Sequence, residues 1–147
     1  MYRLILIAML MSQSAHAALG DHEQQITNND AVKLKSASHN VVKTALYSVH
    51  TMSTPVATIR EYVDNSGNVF AVSWQGIKRP DLSVLLGSFY EEYNNIDSRR
   101  SRMITRQPVS IQTSKIMVRK GGHMRNITGV AIISDQLPSG VKEEDLK

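Results

Sequence analysis

From Thr44 to Gln75 the side chains alternate with a period of two, and turn residues cut the alternation twice; an extended sheet satisfies that pattern and a helix does not. In the first run Ala45, Tyr47, Val49 and Thr51 share one face, Leu46, Ser48, His50 and Met52 share the other, and Ser53-Thr54-Pro55 ends it. The second run, Val56 to Val63, alternates less cleanly and sets Ile59, Glu61 and Val63 opposite Arg60 and Tyr62. It closes in Asp64-Asn65-Ser66-Gly67-Asn68, a hairpin cluster, because Asn and Gly tolerate the positive φ of tight turns. In the third, Val69 to Gln75, alternation sends Phe70, Val72 and Trp74 one way and Ala71 and Ser73 the other. Three sequential strands with short turns make an antiparallel meander.

Gly76 to Pro80 ends the meander, and a helix is expected next. Asp81 stands at the N-cap, and Leu82, Leu85, Leu86, Phe89, Tyr93 and Ile96 recur at steps of three and four, a stripe that faces a core. A polar basic connection through Pro108 leads to a strand over 109–119, Gly121-Gly122 permits a turn, and a last strand runs from Met124 or Arg125 to Ser134. Ahead of the meander, residues 18–43 are weakly patterned. Asp21 as a cap and the spacing of Ile26, Lys33 and Leu34 are compatible with a helix there. The expected fold is a single α+β domain of order α-βββ-α-ββ on a five-stranded, mainly antiparallel sheet, with residues 44–147 forming its body.

The first 17 residues read as a signal peptide. Met1-Tyr2-Arg3 is a short basic start, Leu4 to Met11 is uncharged and largely aliphatic, and Ala15-His16-Ala17 has the A-x-A form of a cleavage site. That apolar stretch falls well short of the roughly 20 residues that span a bilayer, so no transmembrane segment is expected. Cleavage after Ala17 leaves 130 of the 147 residues, with 16 basic and 13 acidic side chains. The chain has no cysteine, which excludes disulfides, a thiol nucleophile, a thiolate metal site and a lipid anchor on cysteine. A cysteine-free exported domain suits a bacterial periplasm or the medium.

Several phrases stand in order along the chain: Ala17-Ala18-Leu19-Gly20, Tyr47-Ser48-Val49-His50, Arg60-Glu61-Tyr62-Val63, Val69-Phe70-Ala71-Val72-Ser73-Trp74-Gln75-Gly76, Pro80-Asp81-Leu82, Gly121-Gly122-His123-Met124-Arg125 and Leu137-Pro138-Ser139-Gly140-Val141. Together they resemble the bacterial domain-of-unknown-function family 2844, small exported proteins found mainly in proteobacteria. The resemblance runs over nearly the whole chain and implies export and a bacterial source. It brings no catalytic residue, cofactor or substrate with it.

The charge is unevenly placed. Between Ser98 and Ser134 stand Arg99, Arg100, Arg102, Arg106, Lys115, Arg119, Lys120 and Arg125, with no acidic residue. If the connection folds near Lys120, Arg99, Arg100, Arg102, Arg106, Lys120 and Arg125 form one positive face for a polyanion or an acidic partner. The ordinary alternative is a solvated loop beside a charged sheet edge. Base-stacking aromatics are absent from this stretch, so nucleic acid is not the expected polyanion. Trp74 beside Gln75-Gly76 can serve as an aromatic platform for a ligand, although a lone tryptophan in such a strand is more often core.

Catalytic signatures are sparse. His50 and His123, with Asp81 or Glu61, would offer two nitrogens and a carboxylate if the sheet brought them together, yet no H-E-x-x-H or H-x-H spacing encodes a metal. Gly-x-Ser-x-Gly is missing, and so are the glycine-rich nucleotide cradles, so no cofactor is expected. Asn126-Ile127-Thr128 matches a glycosylation sequon that a bacterial strand would not use. The leading reading is a non-catalytic periplasmic or secreted module that contacts an envelope protein or polyanion through its basic surface. The alternative is a small histidine-dependent metal-binding enzyme or hydrolase at His50 and His123. An assembly or chaperone-like accessory with pairable sheet edges is a third class.

Overall fold

The computed structural model describes residues 19–26, 30–100 and 108–146. Its centre is one antiparallel sheet of seven strands in the order β1-β2-β3-β4-β7-β6-β5. The expected meander is present as β2 (Tyr47–Ser53), β3 (Ala57–Asp64) and β4 (Val69–Gly76). The chain then leaves the sheet and returns at the far edge as β5 (Val109–Gln112). It steps inward through β6 (Ile116–His123) to β7 (Asn126–Ile133), which closes the sheet against β4.

The α+β class holds, while the strand count and order differ from expectation. The segment expected to be helical contributes only two single turns, α1 (Glu23–Gln25) and α2 (Ala31–Lys33), and then an edge strand, β1 (Ser38–Lys43), paired with β2. β-branched Val41 and Val42 suit that strand, and Thr44 closes the hairpin: its N–H reaches the Tyr47 carbonyl at 2.8 Å, and its hydroxyl accepts from the Tyr47 N–H at 3.1 Å. Residues 109–119 likewise split in two. The Thr113 hydroxyl accepts from the N–H groups of Lys115 and Ile116 at 3.2 and 3.0 Å, folding the run back on itself as β5 and β6.

The expected helix over Leu82–Ile96 starts where Asp81 caps it, its carboxylate accepting from the Ser83 N–H at 2.9 Å. It does not run on unbroken. Gly87, at φ 49°, inserts a 3₁₀ turn (Gly87–Phe89) between α3 (Leu82–Leu86) and α4 (Tyr90–Arg100). Leu82, Leu85, Leu86 and Tyr93 are buried against Met52, Ile59, Val72, Trp74, Val118 and Ala131 on one face of the sheet.

A β-bulge decides which side chains reach the other face. Tyr62 pairs with Ala71 but Val63 pairs with Val69, leaving Phe70 as the extra residue. Phe70 therefore does not share a face with Val72 and Trp74, as strict alternation predicts. It packs with Tyr62, Ala71 and Ile132 in a second cluster, which Val141 and Leu146 of the C-terminal segment cover. Among the described residues no helix is long and apolar enough to cross a membrane.

Candidate functional site

Register carries the polar side chains of the second face into rows. Arg60 on β3 pairs with Ser73 on β4, Ser73 with Val130 on β7, and Val130 with Arg119 on β6. Side chains directly opposite in antiparallel pairs point the same way, so Arg60 and Arg119 close the two ends of one row. Three strand spacings separate their backbones, about 14 Å. The next row is Thr58, Gln75, Thr128 and Gly121, and Gly121 has no side chain to fill the space above it. A cavity of about 620 Å³ opens here, lined by Arg60, Ser73, Gln75, Thr128, Arg119 and, from the C-terminal segment, Glu143. That volume lies within the usual range of small-ligand sites.

The two guanidiniums stand in different states. Arg119 Nη1 donates to Glu143 Oε1 at 2.6 Å, an exposed pair that raises the arginine's pKa. Arg60 is half-buried and has no ion-pair partner among the described residues. Beside it, the Tyr62 hydroxyl lies 3.2 Å from Ser73 Oγ, and burial pushes the Tyr62 phenol up. The sequence showed Arg60 only as a polar position on a strand. Its role depends on which strands lie beside β4, and that is a property of topology.

Of the residues expected on one basic face, Arg99, Arg100, Lys120 and Arg125 lie among the described residues. Arg119 and Lys120 are consecutive on a strand and so point to opposite faces. Lys120 turns to the helix side, where its ammonium donates to Asp97 Oδ1 and to the Tyr93 hydroxyl and lies 5.7 Å from the centre of the Tyr93 ring. Arg99 and Arg100 are exposed at the end of α4, and Arg100 Nη1 donates to the Ser110 carbonyl at 2.6 Å. Arg125 is exposed in the β6–β7 turn at φ 66°. Arg102 and Arg106 lie outside the described residues, as does the leader through Ala17. Trp74 borders the cavity, yet it is 1% exposed and its indole packs over Gly129, where a Cβ would come within 2.1 Å of the ring. It is a core residue, and the platform reading does not hold for it.

His50 and His123 do not meet. β2 and β6 are separated by β3, β4 and β7, and His123 is exposed at the end of its strand. His50 instead meets His39, which the sequence placed in a segment without strand character. His39 Nε2 lies 3.1 Å from His50 Nδ1, the ring centres are 5.2 Å apart with their planes inclined by 28°, and Glu23 Oε1 lies 3.1 Å from His50 Nε2. Burial lowers the His50 pKa, with Glu23 acting in the opposite direction. Asp81 is committed to its helix cap, which holds its carboxyl below the ordinary value. Among the described residues no group of three or more His, Cys, Asp or Glu side chains converges as a metal site.

Glu61, the cross-strand partner of His50, and Asp30 are both fully buried, and among the described residues neither carboxyl has a hydrogen-bond partner outside the pair. The two carboxyls face one another. Burial raises Asp30 from 3.8 to about 7, and burial together with Asp30 raises Glu61 well above 4.5. The pair therefore holds at least one proton near neutral pH.

Residues 15–146 match a family described as Protein of unknown function (DUF2844). No curated protein and no solved structure matches the chain.

Proposed function

The chain belongs to the DUF2844 family, and we propose that it is an exported, non-catalytic binding module that recognises an anionic group of an envelope partner in the cleft between Arg60 and Arg119. The leader ending at Ala17 supports export to the periplasm or the medium. The observation that carries the binding reading is Arg60, a half-buried arginine without a carboxylate partner among the described residues, on the wall of a cavity floored by Ser73, Gln75 and Thr128. A carboxylate or phosphate entering the cleft would accept from this unpaired arginine in bidentate geometry. Glu143, already paired with Arg119, supports a carboxylate or phosphate as the occupant.

The test is binding to an immobilised acidic peptide across a salt series. Wild-type binding should weaken as salt rises, and Arg60→Gln with Arg119→Gln should weaken it by about tenfold or more, as expected for lost charged hydrogen bonds. A parallel variant with Arg99, Arg100, Arg102 and Arg106 changed to Ser reports on the basic connection. If the cleft variant binds like wild type, the cleft reading is wrong; if the connection variant alone loses binding, the contact lies there. Cell fractionation should find a form beginning at Ala18 outside the cytoplasm, and an uncleaved cytoplasmic product would overturn the export reading.

A further inference from the structure

We propose that the β1–β2 edge holds a site for a divalent transition-metal ion of the imidazole-binding class, with His50 Nδ1 and His39 Nε2 as ligands and Glu23 as the residue that orients His50. The site is independent of the anion cleft, which lies on the other face of the sheet.

The hairpin brings the ligands together. His39 pairs with Met52 and His50 with Val41, so the two histidines sit one row apart on the same face of neighbouring strands. Glu23 then fixes the tautomer. A carboxylate only accepts, so the 3.1 Å contact from its Oε1 to His50 Nε2 places a proton on that nitrogen. His50 Nδ1 is left with a free lone pair aimed at His39 Nε2, 3.1 Å away. With the His39 proton on Nδ1, two lone pairs converge on one point at the sheet edge.

The spacing suits a shared ion. Two nitrogens each 2.0–2.1 Å from a tetrahedral zinc ion sit roughly 3.3 Å apart. A carboxylate on the far nitrogen of a ligating histidine is the recurrent way of holding the ring and raising its basicity. His39 is half-buried on an edge strand, so an ion can enter from solvent and complete its coordination with water. Two imidazoles without a carboxylate cage select copper, nickel or zinc over calcium and magnesium.

Calorimetric titration of untagged, metal-stripped protein with Zn²⁺ and with Cu²⁺ at pH 7.5 tests the site, with electron paramagnetic resonance reading nitrogen coupling to Cu²⁺. One ion per chain with two-nitrogen coupling is expected. His39→Ala, a half-exposed position, should abolish this binding and His123→Ala should leave it unchanged. Glu23→Gln should weaken it 10- to 100-fold, the usual effect of losing a ligand's supporting partner. His50→Ala risks misfolding, so the decisive comparison is His39→Ala with circular dichroism unchanged. No binding by wild type, or equal binding by His39→Ala, overturns the proposal and leaves an ordinary imidazole–imidazole hydrogen bond.

Discussion

Asp30→Asn should make the protein more stable at pH 8 and change little at pH 4. Folding buries the Asp30 carboxyl completely and raises its pKa from 3.8 to about 7, burial being the largest cause, with Glu61 and Lys33 lowering it and Asp21 raising it. Between those two values the folded protein holds a proton that the unfolded chain has released, so stability falls as pH rises through that window. At about 1.4 kcal/mol per pH unit the loss attributable to Asp30 has a ceiling of about 4 kcal/mol by pH 8. His50 works the other way. Its pKa is held below 6.5, so under that pH the unfolded chain takes up a proton that the folded one refuses, and stability falls with acid. The wild-type curve mixes both terms, and the difference between variant and wild type isolates Asp30. Glu61 adds with the same sign, because neutralising its neighbour removes one cause of its raised pKa. Urea unfolding followed by the single tryptophan, Trp74, from pH 4 to pH 8 supplies the measurement. A difference that stays constant with pH, or a variant less stable than wild type at pH 8, would refute the buried-acid reasoning.

Two further substitutions probe the packing. Gly129→Ala puts a Cβ within 2.1 Å of the Trp74 ring, so overpacking should cost about 1–3 kcal/mol and shift the tryptophan emission; wild-type stability with unchanged emission would show that the indole sits elsewhere. Lys120→Met leaves Asp97 and Tyr93 without the ammonium between them, and should cost about 1–3 kcal/mol in urea unfolding; wild-type stability in the variant would show that the ammonium does not hold them.

What could be read from the sequence tracks how strongly burial marks each residue. β3 and β4 are buried along most of their length, and the turns bounding them are rich in Asn, Asp, Gly and Pro, so their positions follow from alternation. β1 is exposed at nearly every position, because it is an edge strand with little above or below it. Nothing apolar repeats along it, and a weak helical spacing wins by default. The break at Thr113 has a similar origin: β5 is four residues long, too short to show a period, and its turn lacks glycine. The misplaced Phe70 has a different cause, since one bulged residue reverses the phase of everything before it.

The side chains of the two proposed sites were harder to see because each site joins residues distant along the chain. Arg60 and Arg119 share a row only because β7 returns to pair with β4, a long-range choice that no local pattern encodes. The histidine pair lies nearer the limit of what local reasoning reaches. A hairpin centred on Thr44 to Leu46 would place His39 and His50 on one face, so treating 38–43 as a strand would have been enough to join them. Glu61 carried the clearest signal that alternation leaves unused. An acidic residue between Ile59 and Val63 on the inward face either pairs, binds a ligand or keeps its proton. Asp30, thirty-one residues earlier, meets it under α2 and adds a second acid in place of a cation. With Lys33 too weak an influence to hold both carboxyls ionised, the core keeps at least one proton on the pair.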